Sequence, residues 1–102
     1  MKFEHWSPER DGPFSEAAMR RKLERLGYSV HAYRYPPGTR FDEHSHAVDK
    51  IDGVVSGQFR VEMGGRAMVL EAGDLVWVPK GTPHAAEVVG TEPVTSLDAV
   101  KR

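Results

Sequence analysis

The stretch GTRFDEHSHAVDKIDGVVSG, residues 38–57, contains two histidines separated by one residue and, four positions after the second, a lysine. Side chains two positions apart on a β-strand project from the same face. His44 and His46 can therefore direct their rings at one point if this segment is extended. Imidazoles are common ligands of divalent metals, so the pair is a candidate metal site. Because a metal needs more than two ligands, at least one more must come from elsewhere in the chain.

The runs that surround this stretch predict a β protein. From Tyr28 onward, short runs of β-type residues alternate with Gly and Pro turn signals, a pattern typical of an all-β sandwich or barrel. The clearest run is QFRVEM, in which apolar and polar residues alternate before a Gly-Gly turn. This segment predicts a hairpin over residues 58–70.

The stretch PFSEAAMRRKLERLG predicts a single helix before the strands. Ser15 is a good N-cap, because its hydroxyl can accept an otherwise unpaired backbone N–H of the first turn. Met19, Leu23 and Leu26 recur at helical spacing and form an apolar stripe. We therefore expect a helix over about residues 16–26 that docks this stripe on the rest of the domain.

Length and composition limit the classes of protein to which this chain can belong. The chain has 102 residues, a formal net charge of −1 and no cysteine. A chain of this length supports one core, which predicts a single domain over residues 1–102 with a barrel over about residues 28–100. The absence of cysteine excludes thiolate ligands and a cysteine nucleophile. The sequence has no cluster of basic residues, so we expect no binding to nucleic acid. It also has no stretch that resembles a signal peptide and no apolar run long enough to span a membrane, so we expect a cytoplasmic protein that does not bind membranes.

A second stretch, GDLVWVPKGTPHAAEV at residues 73–88, supplies a third histidine, His84, just after a Pro- and Gly-rich turn. If its strand lies beside the first pair, three imidazoles can converge on one divalent ion. Together the two stretches resemble the cupin superfamily, whose motifs are G-x5-H-x-H-x3,4-E-x6-G and G-x5-P-x-G-x2-H-x3-N. The matching positions are Gly38, His44, His46 and Gly57 in the first motif, and Gly73, Pro79, Gly81 and His84 in the second.

The resemblance is to small single-domain cupins, and it implies an antiparallel jelly-roll barrel, or double-stranded β-helix. It also implies a metal near one mouth of the barrel, with His44, His46 and His84 as ligands, and a homodimer. Two positions depart from the motifs: Lys50 replaces the usual glutamate, and Val88 replaces the closing asparagine. The first departure matters more, because the glutamate supplies a fourth ligand and a negative charge.

Lys50 leaves several interpretations open. By strand parity it faces the same way as the two histidines, and its ammonium would then repel a nearby metal ion. Asp52 shares that face and could pair with Lys50 or replace the missing ligand. A bulge could instead turn Asp49 inward and send Lys50 to solvent. Lys50 could also lose its proton and act as a base, or extend to the barrel rim beside an acidic neighbour.

These residues predict a metal-binding protein with a small-molecule ligand. The first hypothesis is a metal-dependent enzyme of the dioxygenase, isomerase or lyase type, using Fe, Mn, Zn or Ni on a small anionic metabolite. In that case Lys50 could contact a substrate carboxylate. The alternative is a non-enzymatic binding or sensor module. The sequence assigns no catalytic residue and does not decide between the two.

Overall fold

Two antiparallel sheets face each other in the computed structural model, which describes all of residues 1–102. The elements in chain order are β1 (Phe3–His5), α1 (Pro8–Asp11), α2 (Glu16–Arg25), β2 (Tyr28–Tyr35), β3 (Arg40–His44), β4 (Lys50–Ser56), β5 (Gln58–Met63), β6 (Arg66–Leu70), β7 (Asp74–Val78), β8 (His84–Val89) and β9 (Val94–Lys101). The strand order is β1-β7-β4-β9-β2 in one sheet and β3-β8-β5-β6 in the other. This is the predicted jelly-roll architecture, and β5 with β6 confirms the expected hairpin.

Strand alternation separates two apolar cores on opposite faces of the five-stranded sheet. On β4, Val54 packs between the two sheets, whereas Ile51 packs on the opposite face with α2. The core between the sheets comprises Val54, Phe59, Val61, Met63, Leu70, Val76, Val78, Val88 and Val94. The core between the sheet and α2 comprises Met19, Leu23, Tyr28, Val30, Ile51, Leu75, Leu97 and Ala99. Both faces of the five-stranded sheet are thus largely removed from water. Burial of this apolar surface is the main driving force for the fold.

Helix α2 begins where the sequence predicts but docks through a shorter stripe. The Ser15 hydroxyl accepts a backbone N–H of the first turn at 3.0 Å, which confirms the N-cap. Met19 and Leu23 are fully buried against the sheet. The expectation that Leu26 joins them is wrong, because it is 47% exposed. The helix ends at Arg25, and the chain turns there toward β2, which takes Leu26 off the docked face.

Close packing of α2 on β4 depends on a glycine. A Cβ atom at Gly53 would lie 2.6 Å from Met19 Sδ and 2.9 Å from Leu75 Cδ2, both closer than van der Waals contact permits. A side chain at this position would push the helix away from the sheet.

The N-terminal residues form two elements that the sequence pattern does not predict. Strand β1 pairs with β7 and extends the five-stranded sheet, and α1 follows it. Lys22 of α2 donates to the carboxylate of Glu4 and, at 2.9 Å, to that of Asp11, which ties this segment to the longer helix. No helix in the structure has the length and apolar character needed to cross a membrane.

Two strand pairings position the polar residues inside the barrel. Pairing of β3 with β8 sets His44 directly opposite His84. Pairing of β4 with β9 sets Asp52 directly opposite Asp98. Because alternate residues of a strand face the same way, Lys50 shares the inner face of β4 with Asp52. One end of the barrel interior is therefore polar.

Candidate metal centre and adjoining cavity

Three histidines converge at the polar end of the barrel. His44 ends β3, His46 lies in the turn after it, and His84 begins β8. Their ligand-capable nitrogens all lie within 4.8 Å of one another. The structure thus brings together the three residues singled out from the sequence. His46 reaches the group from outside the strand, so its position comes from the turn rather than from strand alternation alone.

Hydrogen bonds orient two of the rings. His44 Nδ1 lies 2.6 Å from the backbone carbonyl of Asp42, and His84 Nδ1 lies 2.9 Å from that of Thr82. A carbonyl oxygen only accepts, so Nδ1 carries the proton in each bond and Nε2 keeps a free lone pair. This arrangement is typical of metal-binding histidines, whose second nitrogen is held by a backbone or carboxylate acceptor.

The surroundings of the rings favour their neutral form. Burial lowers the pKa of His46 below 6.5, and the positive charge of Lys50 acts in the same direction. Burial also lowers the pKa of His84, and it outweighs the opposing effect of the hydrogen bond to Thr82. A metal binds the neutral imidazole, so these shifts suit the pair for coordination. The donor chemistry of the group therefore fits a divalent metal ion.

A cavity of about 180 Å³ adjoins the three histidines. It lies between the two sheets and is open on one side. The lining consists of the three histidines together with Tyr35, Phe41, Lys50, Asp52, Phe59, Ala86, Ser96 and Asp98. An apolar cavity of roughly 150 Å³ holds a molecule the size of benzene, so the space suits a small metabolite.

Lys50 lies inside this cavity and pairs with Asp98, which is distant in the sequence and was not among the expected partners. Its ammonium is 2.8 Å from Oδ1 and 3.0 Å from Oδ2 of Asp98, and only the second contact has hydrogen-bond geometry. The side chains of Lys50 and Asp98 are 12% and 22% exposed, so the ion pair is largely shielded from water. The signal in the sequence was the run VTSLDAV, where alternation places Asp98 on the inward face of β9 with Val94 and Ser96.

The two aspartates flanking Lys50 in the sequence have separate positions. Asp52 lines the cavity beside Lys50. Asp49 lies just before β4, where its carboxylate accepts the backbone N–H of Lys80 at 2.8 Å and its carbonyl accepts that of Lys101 at 3.0 Å. The structure thus places Asp52 on the cavity wall with the histidines, whereas Asp49 joins the segment before β4 to the turn after β7 and to the end of β9.

The surroundings of Asp52 favour its protonated form. Burial raises its pKa from 3.8 to about 6. Repulsion from the Asp98 carboxylate raises the pKa further, and this effect is larger than the opposing attraction of the Lys50 ammonium. Burial likewise raises the pKa of Tyr35 to about 12, with the charges of Asp98 and Asp52 contributing. The Tyr35 hydroxyl therefore stays protonated and lies within the field of both carboxylates.

We expect Asp52→Asn to raise the free energy of unfolding of the metal-free protein at pH 7 by on the order of 2 kcal/mol. The folded-state pKa of Asp52 lies above its unfolded value. The wild type therefore loses stability as pH rises from about 4 to about 6, and asparagine, which does not titrate, avoids this loss. Urea unfolding of both proteins at pH 4 and pH 7 measures the difference, which should nearly vanish at pH 4.

The control for this prediction is Glu92→Gln, which neutralises an exposed carboxylate outside the cavity and should change neither value. A variant less stable than the wild type at pH 7 would contradict the prediction, since it would mean that a favourable partner holds the Asp52 carboxylate.

Comparison with known proteins gives both a family and a set of similar structures. Residues 31–100 match the family model described as Cupin domain. The chain is 33% identical over 73 residues to the uncharacterized protein y4oW from Sinorhizobium fredii. That match covers 67% of this chain and 34% of y4oW, so the chain spans about a third of the length of this relative.

Solved structures share the fold at low sequence identity. KdgF from Halomonas sp. is 26% identical with a TM-score of 0.65, and the match covers 74% of this chain and 70% of KdgF. The DMSP lyase DddQ from Ruegeria pomeroyi is 25% identical with a TM-score of 0.67, over 74% of this chain and 39% of DddQ. A conserved double-stranded β-helix protein from Klebsiella pneumoniae is 26% identical with a TM-score of 0.63, over 74% of this chain and 67% of that protein.

Proposed function

This chain belongs to the cupin family, and from that premise we propose that it is a metal-binding small cupin that converts a small anionic metabolite. The reaction class is that of a dioxygenase, isomerase or lyase. His44, His46 and His84 bind one divalent ion, which is Fe, Mn, Zn or Ni. The similarity to a DMSP lyase supports a metabolite-sized substrate without naming it.

The observation that carries this proposal is the convergence of three imidazoles on a cavity of about 180 Å³. Three neutral nitrogen ligands leave coordination positions open, and a bound ion there supplies Lewis acidity toward an oxygen of the ligand. With no glutamate in the set, the ligands contribute no negative charge. The site therefore favours an anionic partner over a neutral one.

Lys50 and Asp98 complete the recognition of that partner. The Asp98 carboxylate neutralises much of the Lys50 charge and holds the ammonium on the cavity wall, which reduces its repulsion of a metal ion. The ammonium keeps donor protons that a ligand carboxylate can accept, and the Ser96 side chain lies on the same wall. Lys50 acts in this proposal as a contact for the ligand and not as a base.

Elemental analysis of protein purified without an affinity tag tests the metal. We expect about one equivalent of a first-row divalent metal per chain, because the three nitrogens form one group. The proposal is contradicted if the protein carries no stoichiometric metal and takes none up on titration.

The second candidate is a non-enzymatic binding or sensor module. It is favoured by the Lys50–Asp98 ion pair, because a lysine held in place on the cavity wall can bind a ligand carboxylate, and a binding module needs no further chemistry. A metabolite that raises Tm without being consumed supports this alternative, whereas its conversion supports the enzyme.

Three further expectations remain predictions. They are a single domain over residues 1–102, a homodimer, and a cytoplasmic location. Light scattering on the purified protein measures the oligomeric state directly, and a mass of one chain would contradict the dimer.

A further inference from the structure

A second cavity, of about 410 Å³, lies apart from the histidine cavity. Its lining comes from residues 1–2 before β1, from the hairpin formed by β5 and β6, and from β7 with the turn that follows it. The two cavities share no lining residue. Ligand pockets typically measure roughly 300–1,000 Å³, so this space is large enough for a small organic molecule.

The wall of the second cavity is largely apolar. Trp77 supplies an aromatic ring, and the side chains of Met1, Met63 and Pro79 also line the space. Trp77 is half-buried because it packs against the core beneath α2, which fixes the position of its ring. A fixed apolar wall of this kind favours a ligand with an apolar group, since that group displaces water from the wall.

Two exposed cations, Lys2 and Arg66, line the same cavity, and no carboxylate does. The Lys2 ammonium lies 4.4 Å from the centroid of the Trp77 ring, where a cation–π attraction holds it beside the apolar wall. Neither cation forms an ion pair within the chain, since every ion pair of the protein involves other cations. Both positive charges are therefore available to a bound anion.

The combination of these features selects the class of ligand. Single unpaired lysines and arginines are common on protein surfaces, but here two of them flank one concave apolar wall. A guanidinium matches the two oxygens of a carboxylate, and an ammonium adds a second charge-assisted contact. An inorganic anion would leave the wall in contact with water, and a neutral apolar molecule would leave both cations unused.

We infer that this cavity is a second binding site, which takes a small aromatic carboxylate. Lys2 and Arg66 bind the carboxylate at the rim, and the ring of the ligand packs against Trp77 and Met63 inside. Methionine suits this contact, because its sulfur interacts favourably with the edges of aromatic rings. The inference goes beyond the proposed function and is independent of it, since the site requires neither a metal ion nor Lys50.

Titration calorimetry on the metal-free protein tests the inference with three probes. Hydrocinnamate carries a phenyl ring and a carboxylate. Hydrocinnamyl alcohol has the same ring with a neutral hydroxyl group, and propanoate has the carboxylate without the ring. We expect hydrocinnamate to bind with a Kd about tenfold lower than that of either other probe, because it gains both the ion pairs and the burial of its ring.

Tryptophan fluorescence reports where the probe binds. The chain has two tryptophans, of which Trp77 lines this cavity and Trp6 does not. We expect hydrocinnamate to change the fluorescence of the wild type and of Trp6→Phe, but not that of Trp77→Phe. Neither tryptophan lines the histidine cavity, so binding there would leave the fluorescence unchanged.

Charge variants assign the preference to named residues. Lys2→Gln and Arg66→Gln should each raise the Kd for hydrocinnamate about threefold, and the double variant should bind the acid and the alcohol equally. All of these changes are at exposed positions, so the fold should be retained. Arg21→Gln is the matched control, since it removes an exposed cation of α2 outside this cavity and should leave the Kd unchanged.

Each outcome either supports or overturns the second site. Equal binding of hydrocinnamate and hydrocinnamyl alcohol would overturn the role of the cations, and equal binding of hydrocinnamate and propanoate would overturn that of the apolar wall. Absence of binding, or binding that leaves the Trp77 fluorescence unchanged, would overturn the site itself. None of these results bears on the proposed metal centre, which the metal content of the protein tests separately.

Discussion

Replacement of His84 by glutamine is expected to lower the affinity of the protein for Zn(II) by more than 100-fold. His84 is 5% exposed and its Nδ1 is held by the Thr82 carbonyl, so its free Nε2 has a fixed orientation. Loss of a residue that only orients a ligand costs roughly 10–100-fold in metal affinity. Loss of one of three direct ligands should cost more, because the two remaining imidazoles leave the ion largely hydrated.

Competition against a chelator of known affinity measures this effect, and Zn(II) is chosen because it does not undergo redox chemistry. His31→Gln is the matched control, since His31 lies exposed on β2 outside the histidine group and should leave the affinity unchanged. If both variants bind Zn(II) as the wild type does, His84 is not a ligand and the proposed metal centre is wrong.

Leu23→Ala is expected to lower the free energy of unfolding by roughly 3 kcal/mol. Leu23 is fully buried between α2 and the five-stranded sheet. Truncation removes apolar contacts and leaves a cavity that the surrounding side chains fill only in part. Urea unfolding should show a lower midpoint with an unchanged m value, because the surface exposed on unfolding stays nearly the same.

Leu26→Ala provides the control on the same helical stripe. Its side chain is 47% exposed, so we expect a change within about 0.5 kcal/mol. Similar losses for the two variants would contradict the packing of α2, since both leucines would then be buried in solution.

Much of the β architecture was predictable because its signals are local. Period-two alternation and turn residues act over a few positions, and they indicated the hairpin formed by β5 and β6. Strand β1 gave no such signal. It has three residues, Phe3–His5, and forms because the edge of β7 offers backbone partners to a short extended segment. The extent of the apolar stripe on α2 was also misjudged at Leu26, because burial depends on where the chain leaves the helix.

The positions of the candidate metal ligands were also predictable from the sequence. Motif spacing drew attention to His44, His46 and His84, and the pairing of β3 with β8 brings the third beside the first. Their role as ligands stays a prediction. Tyr35 and Phe41 were not recognised as lining residues, because an aromatic residue on a strand has the same pattern whether it fills a core or faces a cavity.

The sequence by itself determined an all-β sandwich or barrel of alternating strands, and its resemblance to cupins implied a jelly-roll with three histidines at the motif positions. It also placed a lysine where a glutamate is usual, and it offered Asp49 and Asp52 as partners because they are close in the chain. Only the tertiary structure decided that Lys50 pairs with Asp98, 48 positions away. The physical reason is that local periodicity specifies which face a side chain occupies, whereas its partner across the sheet depends on strand order and register. Strand order and register are in turn determined by how the whole apolar core is buried.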